Sequence, residues 1–242
     1  MTGRRADLAA NLERVRARIA AAADAAGRDP AELTLIAVTK THPASDIALL
    51  AELGVTDIGE NRDQEAAAKH VELCSPANAA TASLGLRWHF IGQLQRRKAR
   101  SVATYADVVH SVDRPELALA LGAAAAASGR VIDALIQVSL DPPGATGRGG
   151  VEPAAAMALA ELVETTAGLR LAGLMAVAPL GIDPGPPYRA LGELSAQVSA
   201  RFPAATVLSA GMSGDLESAV ENGATHLRVG TALLGRRERV VG

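Results

Sequence analysis

Leu33-Thr34-Leu35-Ile36-Ala37-Val38-Thr39 is a short run, mostly apolar on both faces, that ends on Lys40 and is followed by the helix-like stretch Pro43 to Leu53. A strand apolar on both faces belongs in a sheet that is covered on both sides, usually a parallel one. Seven further runs of the same kind follow: Asp57 to Gly59, Trp88 to Ile91, Val108 to Ser111, Ile132 to Leu140, Leu171 to Val177, Thr206 to Leu208 and His226 to Val229. Between them lie helix-like segments such as Asn61 to Leu73, Pro115 to Ala127 and Pro153 to Thr166, the last two with proline at the favoured helix start. Ahead of the first strand, Leu8, Leu12, Val15 and Ile19 recur at three- and four-residue steps, which predicts a long helix, with Gly27 where it stops and Pro30 beyond. Two closures suit this alternation, a barrel or an open doubly wound sheet. The count of eight strands and the lack of a Gly-x-Gly-x-x-Gly turn after the first favour the barrel. The expected fold is α/β: a single (β/α)8 barrel of TIM type with an extra N-terminal helix, residues 1–242 forming one domain.

The bulk numbers agree with that size. A chain of 242 residues matches the roughly 250 typical of such barrels. Apolar residues make up 49% of it, but only five are aromatic, so the core has to be built from Ala, Val, Leu and Ile. A net charge of −2 leaves no footprint for nucleic acid or an anionic membrane. One cysteine, Cys74, forms no internal disulfide or cysteine metal cluster. With no apolar leader behind Met1 and no run near the roughly 20 residues of a membrane span, the expected location is the cytoplasm.

Lys40 is the first candidate for chemistry. A barrel places its amine at the mouth, where apolar walls would disfavour the ammonium form and free the amine to attack an aldehyde. The alternative is a lysine that leaves the strand and extends into solvent. The second constellation is Ser209-Ala210-Gly211-Met212-Ser213-Gly214-Asp215, followed by His226-Leu227-Arg228-Val229-Gly230-Thr231. Barrels often bind phosphate with the loops after strands seven and eight, where backbone N–H groups face the anion. The alternative is tight turns at the glycines and helix capping by the hydroxyls. Arg228 alternates with Leu227 and Val229, which turns it toward the interior, where a guanidinium needs a partner; a structural ion pair is one possibility. His89 and His110, with Asp113, lack metal-ligand spacing and read as hydrogen-bonded core histidines. Arg96-Arg97-Lys98-Ala99-Arg100 reads as a solvated helix face, and Arg236, Arg237 and Arg239 as complements to a helix dipole. The loops Asp141 to Gly150 and Ala178 to Pro187 follow strands and belong at the C-terminal mouth.

Five blocks in order together resemble the pyridoxal phosphate homeostasis protein family, single-barrel relatives of alanine racemase. They are Ile36-Ala37-Val38-Thr39-Lys40, Gly59-Glu60-Asn61-Arg62-Asp63-Gln64-Glu65, Trp88-His89-Phe90-Ile91-Gly92-Gln93-Leu94-Gln95, Leu208-Ser209-Ala210-Gly211-Met212-Ser213-Gly214-Asp215-Leu216-Glu217 and Arg228-Val229-Gly230-Thr231-Ala232. The resemblance implies pyridoxal 5′-phosphate (PLP) held as a Schiff base on Lys40. It implies phosphate contacts from Ser213, Gly230 and Thr231 with help from the Met212 backbone, Arg228 at the pyridine nitrogen, and Asn61 near the pocket. Thr39 stands where the family commonly has serine, Arg62 where it has tyrosine, and Gln93 where it has histidine, so any role for the last two side chains is open.

The resemblance also implies a carrier more than a catalyst. A guanidinium beside the pyridine nitrogen opposes its protonation and weakens the ring as an electron sink. Alanine racemase works with such a ring, but it resembles a barrel plus a second, β-rich domain, with a tyrosine from the partner subunit as opposing base. This sequence ends soon after the eighth strand, and Tyr105 and Tyr188 sit in no matching motif. The expectation is therefore a monomer that carries or buffers PLP, exchanging it with PLP-dependent enzymes. A low-activity racemase, a Schiff-base aldolase working through Lys40 and a protein-interaction module remain the alternatives.

Overall fold

The structure, a computed structural model, describes residues 2–75, 85–142 and 149–235. Positions 143–148 of the loop after the fifth strand, and Arg236, Arg237 and Arg239, lie outside the described residues.

Eight parallel strands close a barrel in sequence order. They are β1 (Thr34–Val38), β2 (Asp57–Glu60), β3 (Arg87–Phe90), β4 (Val108–Val112), β5 (Ile132–Gln137), β6 (Leu169–Met175), β7 (Val207–Ser209) and β8 (His226–Val229). β8 pairs back onto β1, with Ala37 opposite Val229. The open-sheet alternative is thereby excluded. The helices are α1 (Thr2–Ala25), α2 (Ala44–Glu52), α3 (Asp63–Leu73), α4 (Ala99–Val102), α5 (Pro115–Ala127), α6 (Ala156–Thr165), α7 (Gly185–Arg201), α8 (Leu216–Glu221) and α9 (Thr231–Leu234). None of the described helices is long and apolar enough to cross a membrane.

Strand positions agree with the sequence pattern, but some ends differ for identifiable reasons. β6 begins at Leu169 because Arg170, though exposed, pairs across to Asp133 at the start of β5 and so stays in the ladder. β5 stops at Gln137; beyond it Val138 makes only an isolated bridge to Val151. β7 extends to Ser209, whose partner is His226. The shell is made by small residues packed closely. A side chain at Gly122 would collide with Ala167 O at 2.7 Å, and one at Gly173, in β6 with φ +145°, with Val207 O at 1.9 Å.

α1 buries its predicted stripe, Leu8, Leu12, Val15 and Ile19, against the barrel's outer layer. It also reaches the ends of the two last βα units through polar contacts. Asn11 donates to Leu233 O at 2.8 Å, Arg4 to Leu234 O at 3.1 Å, and Arg18 to Ser213 O at 2.6 Å. The extra helix thus buttresses the segments that follow β7 and β8.

Candidate functional site

The C-terminal ends of β7, β8 and β1 are neighbours in the barrel, so the predicted site residues converge on one sector of the mouth. β1 ends at Val38; Thr39 is fully buried, Lys40 is exposed, and Thr41 takes the left-handed conformation at φ 67°. Lys40 is therefore at the rim, as expected, but apolar walls do not enclose it. Gly230 packs directly against β1: a side chain there would meet Val38 O at 3.4 Å.

The loop after β7 is shaped by its own side chains. Asp215 accepts from the Met212 N–H at 2.6 Å and from the Tyr188 hydroxyl at 2.7 Å, and the Gly211 N–H donates to the same hydroxyl at 3.3 Å. Burial and the neighbouring Asp215 both push the Tyr188 phenol upward, so it remains a donor. Gly211 adopts φ +86°, a conformation that favours glycine, and the N–H groups of Ser213 and Gly214 bond to no other described residue. Thr231 begins α9, whose first N–H groups have no partner within the helix. The combination gives unspent donors on adjacent loops, the arrangement that suits a phosphate.

Inside the barrel Arg228 is 4% exposed. It makes no salt bridge among the described residues; its guanidinium donates to the Ser209 hydroxyl at 2.6 Å and to Ala176 O at 2.8 Å. The structural ion pair considered from the sequence is therefore absent from the described residues. From Ser209 a line of hydrogen bonds crosses the interior: Ser209 Oγ to His110 Nδ1 at 3.0 Å, His110 Nε2 to His89 Nδ1 at 2.9 Å, and His89 Nε2 to Asp57 Oδ1 at 2.9 Å. Arginine can only donate and a carboxylate only accept, so with both imidazoles kept neutral by burial the line has one sense. Ser209 donates to His110, His110 to His89 and His89 to Asp57, with both imidazoles neutral. Burial lowers both histidine pKa values, that of His110 well below the ordinary value, in agreement with that state. The core-histidine reading of these residues holds.

Asn61 lies just past β2, half-buried, with its carbonyl so near Gly92 that a side chain there would approach within 2.1 Å. Beside it is a cavity of about 550 Å³ whose lining includes Asn61, Arg62, Glu65, Gln93 and Arg97. Arg62 is the residue before α3 and is exposed; Gln93 faces Gly149 across this rim. The basic run is exposed at Arg96, Arg97 and Arg100, a solvated face as predicted.

The profile of the alanine racemase N-terminal domain family matches residues 10–238. The pyridoxal phosphate homeostasis protein of Mycobacterium tuberculosis is 44% identical over 97% of this chain and 94% of its own length. That of Escherichia coli K12 is 38% identical over 96% and 97%. The chain belongs to the pyridoxal phosphate homeostasis protein family. PipY of Synechococcus elongatus, solved with PLP bound, superposes on this family member with a TM-score of 0.79 at 35% identity, over 94% of this chain and 100% of PipY. Alanine racemase from Streptomyces coelicolor shares the fold with a TM-score of 0.70 at 20% identity, and this family member spans 59% of that racemase.

Several structural residues of this homeostasis family member were not anticipated. Tyr188 and Asp215 shape the glycine loop although 27 positions separate them. Arg18 lies 195 positions from the Ser213 carbonyl that it holds. His89, His110 and Ser209 were visible as polar residues within apolar strands, which is a signal of buried pairing, but their mutual order depends on barrel closure. Long-range pairs of this kind leave no local spacing in a sequence.

Proposed function

We propose that this chain binds pyridoxal 5′-phosphate at the barrel mouth as a Schiff base on Lys40, and carries or buffers it instead of transforming amino acids with it. When bound, that group supplies an aldehyde for an amine and a ring able to draw electrons. The observation that carries the reading is the convergence, on three adjacent strands, of a rim lysine, unspent loop donors and an inward guanidinium with neutral partners.

The chain's own donors fit such a group. Ser213, Gly214, Gly230 and Thr231 offer backbone and hydroxyl donors to a phosphate, and Met212, its N–H held by Asp215, sets the turn. Arg228 has five N–H donors, of which Ser209 and Ala176 take two, so three remain and one can serve a ring nitrogen. With no carboxylate paired to it among the described residues, its charge opposes protonation of that nitrogen. Asn61 is half-buried just past β2, the strand next to β1. Both tyrosines are buried, Tyr105 at 2% exposure and Tyr188 at 1%, so neither is offered as an acid or base on the far face. The likeness to PipY, solved with PLP bound, supports the same cofactor here. We take the chain to act as a cytoplasmic monomer that passes PLP to PLP-dependent enzymes.

The test is a titration of the purified protein with PLP followed by absorbance. The wild type should develop the band of a lysine-linked cofactor and Lys40→Ala should not. Robust turnover of L- or D-alanine would replace the carrier reading with a racemase. Attack on an aldol substrate without any PLP band would replace it with an aldolase.

A further inference from the structure

We propose that Lys69, together with Glu65 and Glu60, is a clamp that fixes the peptide carrying Lys40, so that it positions the amine without touching the cofactor. This rests on the reading of Lys40 as the anchor. Lys69 is on α3 and only 6% exposed, although lysine is almost never buried unless paired. Its ammonium has three donors and spends all of them: on Thr39 O at 2.9 Å, Glu60 Oε1 at 2.7 Å and Glu65 Oε1 at 2.6 Å. Thr39 is the residue before Lys40. The residue after it, Thr41, donates its N–H to the same Oε1 of Glu65. The peptide on each side of Lys40 is therefore tied to one ammonium–carboxylate pair, and Glu60 also accepts from the Thr39 hydroxyl at 2.7 Å.

The tie has a conformational purpose. Thr41 stands at φ 67°, where a β-branched residue is unfavourable and persists only when its surroundings hold it. Thr41 is exposed, so packing does not force that angle. Two contacts restrain it: the His42 N–H donates to Thr39 O at 3.0 Å and closes the turn, and Glu65 accepts from the Thr41 N–H. Without the Glu65 contact Thr41 would relax toward negative φ, and the direction in which Lys40 leaves β1 would change. Lys69 and Glu65 have no other described role: the pair lies outside the arginine–histidine line and outside the phosphate loops.

Two readouts test the clamp. In the protein without cofactor, the Thr41 amide should exchange with solvent slowly in the wild type and about tenfold faster in Glu65→Ala. With PLP, Glu65→Ala should bind about tenfold more weakly by the absorbance titration. Thr41→Gly added to Glu65→Ala should recover most of that loss, because glycine takes positive φ without help. Recovery is the part that a merely structural role for Glu65 would not give. Lys69→Met should behave as Glu65→Ala if it folds; if circular dichroism shows it unfolded, the Glu65 and Thr41 variants decide. Unchanged exchange and affinity in folded Glu65→Ala, or no recovery in the double variant, would overturn the clamp and leave Lys40 as the anchor. Failure of the wild type itself to form a Lys40 adduct would overturn both.

Discussion

Arg228 is the residue on which the interior is organised, because a buried cation with neutral partners determines what its neighbours must do. Its donor to Ser209 occupies one lone pair of the hydroxyl, and the line from there to Asp57 runs through imidazoles that burial keeps neutral. Ser209→Ala would leave Arg228 and His110 each short of a partner, and should lower unfolding free energy by about 1–3 kcal/mol in urea titrations. The buried histidines give a pH dependence. Burial lowers the pKa of His89, His110 and His226, the last to about 4, so each takes up a proton more readily in the unfolded chain. Stability is therefore full above the unfolded value near 6.5 and falls as pH drops below it. Each histidine adds up to about 1.4 kcal/mol per pH unit, for His226 down to its folded value near 4. Urea midpoints at pH 7 and pH 5 check this. Equal midpoints would mean that these histidines take up protons as readily in the fold as in the unfolded chain.

The strands and helices were largely legible from the sequence, and the reasons for the exceptions are local. β1 was visible because Leu35 to Val38 is apolar throughout, whereas the start of β6 was hidden by Arg170, whose charge is met by Asp133 on a strand 37 positions away. The glycine loop after β7 could be located, but not the Tyr188–Asp215 pair that shapes it, since helix α7 contributes one partner and the loop the other. Gly211→Ala should be costly: its φ is +86° and the new methyl group would approach Ala219 Cβ at 2.6 Å. A loss of about 1–3 kcal/mol is expected in thermal or urea unfolding. α1 reaches the same loop through Arg18, which holds Ser213 O and pairs with Glu217. Arg18→Ala should leave the fold intact and weaken PLP binding several-fold while sparing pyridoxal, which has no phosphate. Equal losses for both ligands would show that α1 does not act through the phosphate loop.

On the scale of the whole barrel, closure is what assembles the site. Lys40 and Arg228 are 188 positions apart in sequence, yet β1 and β8 are hydrogen-bonded neighbours. The candidate residues were recognisable one at a time, and the resemblance of five blocks joined them; geometry adds which donors are spent and which are free. It also corrects the setting of Lys40, exposed at the rim and not walled by apolar groups, because the turn at Lys40-Thr41 lifts it off β1. If the barrel acts as a carrier monomer, sedimentation equilibrium should return the single-chain mass with and without PLP, and a dimer mass would revive comparison with the two-subunit racemase site. The most direct measurement is borohydride reduction of the PLP-loaded protein followed by peptide mapping. One modified residue, Lys40, is the expected result. A reduced adduct on another lysine, or none, would contradict the assignment of Lys40 as the anchor.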